Sequence, residues 1–93
     1  MLLSAAAAEE IALKALTYLA GDDDLLEIFM TQTGLGPDEL RARAADPHLL
    51  AGVLDFLLQS DSNVTQFADS AELKPEAVMA ARRALPGGRD DAE

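Results

Sequence analysis

Apolar residues recur along the chain at intervals of three and four, the spacing that places side chains on one face of an α-helix. In the N-terminal segment Ile11, Ala15 and Leu19 follow this spacing, with Ala12 and Leu16 beside them. No segment alternates apolar and polar residues in the manner of a half-buried β-strand. The pattern predicts an all-α fold, a compact bundle of five or six short helices.

Capping residues, glycines and prolines divide this pattern into six helical segments. Gly21 and Gly34 end the first two, and the carboxylate of Asp22 suits the free N–H groups at the start of the second. Asp61 is predicted to cap the fifth. Three later segments begin with a proline, which fits the first helical turn; these are Pro37, Pro47 and Pro75. The predicted helices cover about 4–20, 22–33, 37–44, 47–59, 62–71 and 75–85.

The fourth segment is apolar around most of its circumference. Its large apolar residues are Leu49, Leu50, Val53, Leu54, Phe56, Leu57 and Leu58. Its main polar positions are Asp55 and Gln59. Because a helix that is apolar nearly all round is surrounded by other elements, we predict that this helix is the most buried and lies at the centre of the bundle.

The chain also matches itself at an offset of 38 residues. Residues 11–45 then align with 49–83, and seven of the 35 pairs are identical. These pairs are Leu16/Leu54, Leu19/Leu57, Asp23/Asp61, Phe29/Phe67, Leu35/Leu73, Pro37/Pro75 and Ala42/Ala80. Such residues determine structure and carry no shared chemistry. We predict an internal duplication with two related three-helix halves, over about 5–45 and 47–86.

Composition limits the classes of partner and of compartment. A chain of 93 residues makes one small domain, predicted over 1–88, with a flexible acidic tail over 89–93. Seventeen acidic residues against seven basic ones give a net charge of −10, which repels nucleic acids and anionic lipids. There is no cysteine for a disulfide framework. Since no secretion signal or transmembrane pattern is found, we expect a cytoplasmic protein without nucleic-acid or membrane partners.

Catalytic and ligand motifs are not found. The run Asp22–Asp24 lacks the alternating oxygens, the glycine and the final glutamate of an EF-hand loop. The single histidine, His48, has no serine or cysteine nucleophile at a recognisable spacing. No phosphate-binding loop, dinucleotide fingerprint or metal-ligand spacing is present. We therefore expect no enzymatic activity, no cofactor and no metal.

The sequence of residues 34–44, "GLGPDELRARA", resembles the middle of a helix-turn-helix motif. Asp38 and Glu39, however, occupy the helical turn that would face the DNA phosphates. Affinity for DNA depends largely on neutralised phosphates, and the chain has no clear basic face. DNA binding through Arg82 and Arg83 stays open as an alternative that the net charge disfavours.

The second segment carries more large apolar residues than one packed face requires. We interpret Leu25, Ile28 and Met30 as a contact for an unidentified protein partner, with Arg41 and Arg43 as charges at its rim. Two alternatives stay open: the apolar surplus fills the core, or it forms a self-complementary surface for a homodimer. The predicted function is a small adaptor or regulatory module, with a self-associating structural protein as the alternative.

Two segments of the chain also carry a family resemblance. Residues 34–58, "GLGPDELRARAADPHLLAGVLDFLL", and 72–87, "ELKPEAVMAARRALPG", resemble a family of short alphaproteobacterial proteins, the domain of unknown function numbered 3572. The resemblance extends over about 12–87. It implies a small cytoplasmic bacterial protein, and it implies no activity because none is established for that family.

Overall fold

A computed structural model describes residues 3–86, and within them the chain forms six α-helices and no β-strand. The helices are α1 (Ala5–Ala20), α2 (Asp23–Thr33), α3 (Pro37–Ala42), α4 (Pro47–Leu58), α5 (Asp61–Ala71) and α6 (Pro75–Arg83). The predicted all-α bundle is confirmed. No helix of this described part is long and apolar enough to cross a membrane. The tail predicted over 89–93 lies outside the described residues.

Four of the helices begin with a side-chain cap. The capping residues are Ser4, Asp22, Asp46 and Ser60. The prediction that Asp61 caps α5 is wrong, because Ser60 Oγ accepts the N–H of Asn63 at 3.3 Å and Asp61 is already helical. From the first turn, the carboxylate of Asp61 still complements the positive end of the helix dipole.

Two helices end two residues sooner than their sequence pattern predicts. α3 ends at Ala42 rather than at residue 44, and α6 ends at Arg83 rather than at residue 85. Each is followed by a proline, which disfavours helical geometry in the residue before it. Asp46, before Pro47, is extended at φ −73° and ψ 119°, so the preceding residues must turn out of the helix to reach it.

α4 is the most buried of the six described helices, as its all-round apolar pattern predicts. It packs against α1, α5 and α6, and seven of its residues are buried. Leu50, Val53, Leu54 and Leu57 each expose 1% of their surface or less. Burial of these side chains from water is the main favourable contribution to the stability of so small a domain.

α1 supplies the other long surface of the core, and its inward face consists mostly of alanine. Ala8, Ala12 and Ala15 are fully buried, with Leu19 completing the face toward the helix end. Alanine adds little bulk, so neighbouring helices can approach α1 closely. α4 and α6 make the most extensive contact with α1.

The aromatic side chains join the two halves of the chain in a reciprocal way. Tyr18 of α1 packs on Phe67 of α5 with ring centroids 5.6 Å apart, and Phe56 of α4 packs on Phe29 of α2 at 5.4 Å. The 38-residue offset converts one pair into the other, since Tyr18 aligns with Phe56 and Phe29 with Phe67. This exchange is what an internal two-fold relation would produce. It supports the duplication, which stays a prediction.

The third helices of the two halves, α3 and α6, do not follow this two-fold relation. α6 packs extensively on α1, α4 and α5, whereas α3 makes only slight contact with any other helix. Leu40 is the only residue of α3 that is buried, while α6 buries Ala77, Val78, Ala80 and Ala81. The two halves share an order of helices but differ in how firmly the last helix is attached.

Replacing Leu54 by alanine tests the central position of α4. Leu54→Ala should lower the free energy of unfolding by about 2–5 kcal/mol, because it leaves a cavity in a fully buried site. Chemical denaturation measures this loss. The control is Leu13→Ala, at a residue that is 43% exposed, which should change the same quantity by no more than about 0.5 kcal/mol. Equal losses in the two variants would contradict the assignment.

Candidate functional site

An apolar groove runs along the surface between α1, α2 and α3. We name it the first-half groove, and its volume is about 270 Å³. It is lined by Leu16, Ala20, Leu26, Pro37, Leu40, Arg41 and Ala44. Arg41 is the only charged residue in this lining, so the groove presents a hydrocarbon surface with one cation at its rim.

The equivalent space in the second half is closed by side chains. Leu16 and Leu26 are half-buried in the first-half groove, whereas their counterparts Leu54 and Val64 are buried. At the position of Ala20, moreover, the second half has the larger Leu58. The groove is thus open partly because a small side chain lines it.

An ion pair that secures α6 has no counterpart at α3. The guanidinium of Arg82 makes two hydrogen bonds to the carboxylate of Asp55 on α4, one of them 3.0 Å from Nη2 to Oδ2. It also donates to the carbonyl of Pro86 at 3.0 Å. At the 38-residue offset Asp55 aligns with Thr17 and Arg82 with Ala44, neither of which carries a charge. α3 therefore lacks the ion pair to the body of α4 that holds α6.

The three apolar residues predicted on α2 do not form one exposed patch. Ile28 is 47% exposed, but Leu25 and Met30 are half-buried and pack against the core. Helical spacing places Leu25 and Ile28 on one flank of α2 and Leu26 and Met30 on the other. Core filling therefore accounts for much of the apolar surplus, and Leu26 is the α2 residue that lines the groove.

The two predicted rim arginines have different surroundings. Arg41 lines the first-half groove and meets only the carboxylate of Asp38, at 3.1 Å, with both side chains largely in water. Arg43 turns away toward the start of α4, where its Nε and Nη2 lie 3.2 and 3.0 Å from Oδ2 of Asp46. Of the five predicted partner-binding residues, only Arg41 lies in the groove lining.

Asp46 joins α3 to α4 through both oxygens of its carboxylate. Oδ1 accepts the backbone N–H of His48 at 2.9 Å, which caps α4, and Oδ2 accepts from Arg43. The bond from His48, and then that from Arg43, lower the pKa of Asp46 below its ordinary value of 3.8. Arg43 thus has a structural role in fixing the turn between the two helices.

His48 itself is exposed in the first turn of α4. Within residues 3–86, no three histidine, aspartate or glutamate side chains form a group that could hold a metal ion. The expectation that the protein uses no metal or cofactor stays a prediction.

The pKa of Asp46 gives a testable electrostatic prediction for this site. Its pKa should lie below 3.8, so its contribution to stability should be complete at neutral pH and be lost as the pH falls through that lowered pKa. Carboxyl NMR measures it. Arg43→Ala should raise the pKa but leave it below 3.8, because the His48 bond remains, and Arg41→Ala should leave it unchanged. A pKa of 3.8 or more in the unaltered protein would contradict the geometry.

Comparison with known proteins assigns a family and no activity. No curated protein and no solved structure matches the chain. A family described as "Protein of unknown function (DUF3572)" matches residues 5–88, which include all six helices and the whole first-half groove. The chain belongs to this family of unknown function.

Proposed function

We propose that this protein acts by binding another protein, as a small adaptor or regulatory module, and that its first-half groove receives apolar side chains of the partner. The supporting observation is the open groove itself, since the equivalent surface of the second half is covered by the chain's own side chains. Leu16 and Leu26 remain accessible from it. Apolar surface at the centre of a groove with charge at its rim is a common arrangement for recognising a helix.

The lining indicates the chemistry of the partner. A helix with two or three apolar side chains along one face would fill the groove, and a carboxylate beside them would meet Arg41. The present partner of Arg41 is Asp38, whose side chain is 98% exposed. Ion pairs so exposed to water contribute little to stability, so Arg41 can exchange Asp38 for a carboxylate of the partner at small cost.

We further propose that the protein binds a partner and catalyses no reaction, and that it acts in the setting that the family resemblance implies. We place the protein in the bacterial cytoplasm, with an alphaproteobacterial origin. The net charge of −10 favours partners whose own net charge is positive, because electrostatic attraction at long range depends on overall charge.

DNA binding through Arg82 and Arg83 is the less favoured alternative. The guanidinium of Arg82 is already engaged by Asp55 and by the carbonyl of Pro86, and its side chain is only 17% exposed. To reach a phosphate it would have to leave a carboxylate, which opposes binding.

Photo-crosslinking in living cells tests the proposal. Benzoylphenylalanine in place of Arg41 should form an adduct with a distinct protein, identified by mass spectrometry. Adding Ala20→Trp fills the groove and should remove this adduct, because losing one buried anchor costs about 2 kcal/mol, or roughly 30-fold in affinity. Ala42→Trp, on the exposed side of α3 outside the lining, should leave the adduct unchanged.

The matched control position is Met79, which aligns with Arg41 and is 45% exposed on α6. The same adducts from both positions, or none from Arg41, would contradict the proposal. An adduct with a second copy of this chain would instead indicate that the groove serves self-association.

A further inference from the structure

A second cleft, on another side of the bundle from the first-half groove, lies between α1 and the end of α5. Its volume is about 440 Å³. It is lined by Lys14, Thr17, Tyr18, Phe67, Ser70, Ala71 and Glu72. It shares no residue with the first-half groove, and the proposed partner binding makes no use of it.

The two walls of this cleft carry opposite charges that form no ion pair with each other. Lys14 belongs to the α1 wall and Glu72 to the α5 wall. Neither residue takes part in the ion pairs found within residues 3–86. An ammonium and a carboxylate therefore line one cleft, and each is able to bind a group of the opposite charge.

Between these charges the surface is mostly apolar. The rings of Tyr18 and Phe67 pack at a tilt of 56°, and Phe67 is buried. The hydroxyl groups of Thr17 and Ser70 donate to carbonyls of their own helices, at 3.0 and 2.8 Å. Their O–H bonds are thus occupied, and the cleft offers an aromatic surface with hydroxyl oxygens that can still accept hydrogen bonds.

The backbone at Glu72 is the second unusual feature of this cleft. Glu72 ends α5 in the left-handed conformation, at φ 59° and ψ 42°, and is the only residue other than glycine with a positive φ among those described. Its counterpart at the end of α2 is Gly34, at φ 76°. Glycine adopts this conformation without strain, whereas glutamate adopts it at a cost. The backbone conformation therefore does not explain why a glutamate is found at this position.

We propose that the cleft binds a zwitterionic ligand of amino-acid size with an apolar side chain. The ligand carboxylate would meet Lys14, its ammonium would meet Glu72, and its side chain would cover the half-buried ring of Tyr18. The two charges on opposite walls match the two charges of such a ligand, and charge-assisted hydrogen bonds are the strong ones. A free amino acid and the ends of a very short peptide share this chemistry.

NMR titration of the full chain with L-leucine tests the proposal. Saturable shifts should appear at the ring of Tyr18. Two analogues keep the apolar body and lose one charge each: 4-methylpentanoate lacks the ammonium, and 3-methylbutylamine lacks the carboxylate. Each should bind roughly tenfold more weakly or worse, because each loses one hydrogen bond to a charged group. A parallel titration with dileucine shows whether a short peptide or the free amino acid binds more tightly.

Two variants locate the site. Glu72→Gly removes the carboxylate and relieves the backbone, as Gly34 shows for the equivalent position, so this variant remains folded and should lose leucine binding at least tenfold. Lys14→Met should do the same. Lys74→Met, at the exposed N-cap of α6, is the matched control and should bind as the unaltered protein does.

Three results would overturn the proposal: no saturable shift with leucine or dileucine, equal binding of either singly charged analogue, or undiminished binding by Glu72→Gly. None of these results would affect the partner groove, because Ala20→Trp and the adduct at Arg41 report on a different surface.

Discussion

The packing of α4 against its neighbours is the contact on which the rest of the molecule depends. With no tryptophan and only four aromatic rings, the core must be filled mostly by leucine, valine and alanine. Leu54 and Leu57 are fully buried in this packing, and the alanine face of α1 leaves room for both α4 and α6.

The difference between α3 and α6 connects the fold to the proposed function. α6 has a buried apolar face and a charged side chain, Arg82, that reaches α4. α3 has Leu40 alone, and nothing charged at the equivalent of Arg82. The same architecture therefore closes its surface on one side and leaves the first-half groove open on the other. A surface left open in this way is available to a partner without any rearrangement of the core.

Local signals in the sequence were sufficient for the helices and insufficient for the site. Prolines, glycines and capping acids predicted all six helices, and the pattern of 49–58 predicted the burial of α4, because each of these signals acts within a few residues. The exposure of Leu25, Ile28 and Met30 depends on how α2 packs on α1, which no local pattern contains. The internal alignment pairs Ala20 with Leu58 and Ala44 with Arg82. Comparing the size and charge of aligned side chains in the two halves could therefore have indicated the groove.

Native-state hydrogen exchange measures most directly whether α3 is attached less firmly than α6. The amide of Arg43 donates to the carbonyl of Glu39 at 3.0 Å at the end of α3, and Ala81 occupies the equivalent position within α6. The Arg43 amide should exchange through a local opening whose free energy lies well below that of global unfolding, whereas the Ala81 amide should exchange only when the whole domain unfolds. Equal protection of the two amides would contradict the account, because α3 would then be as firmly packed as α6.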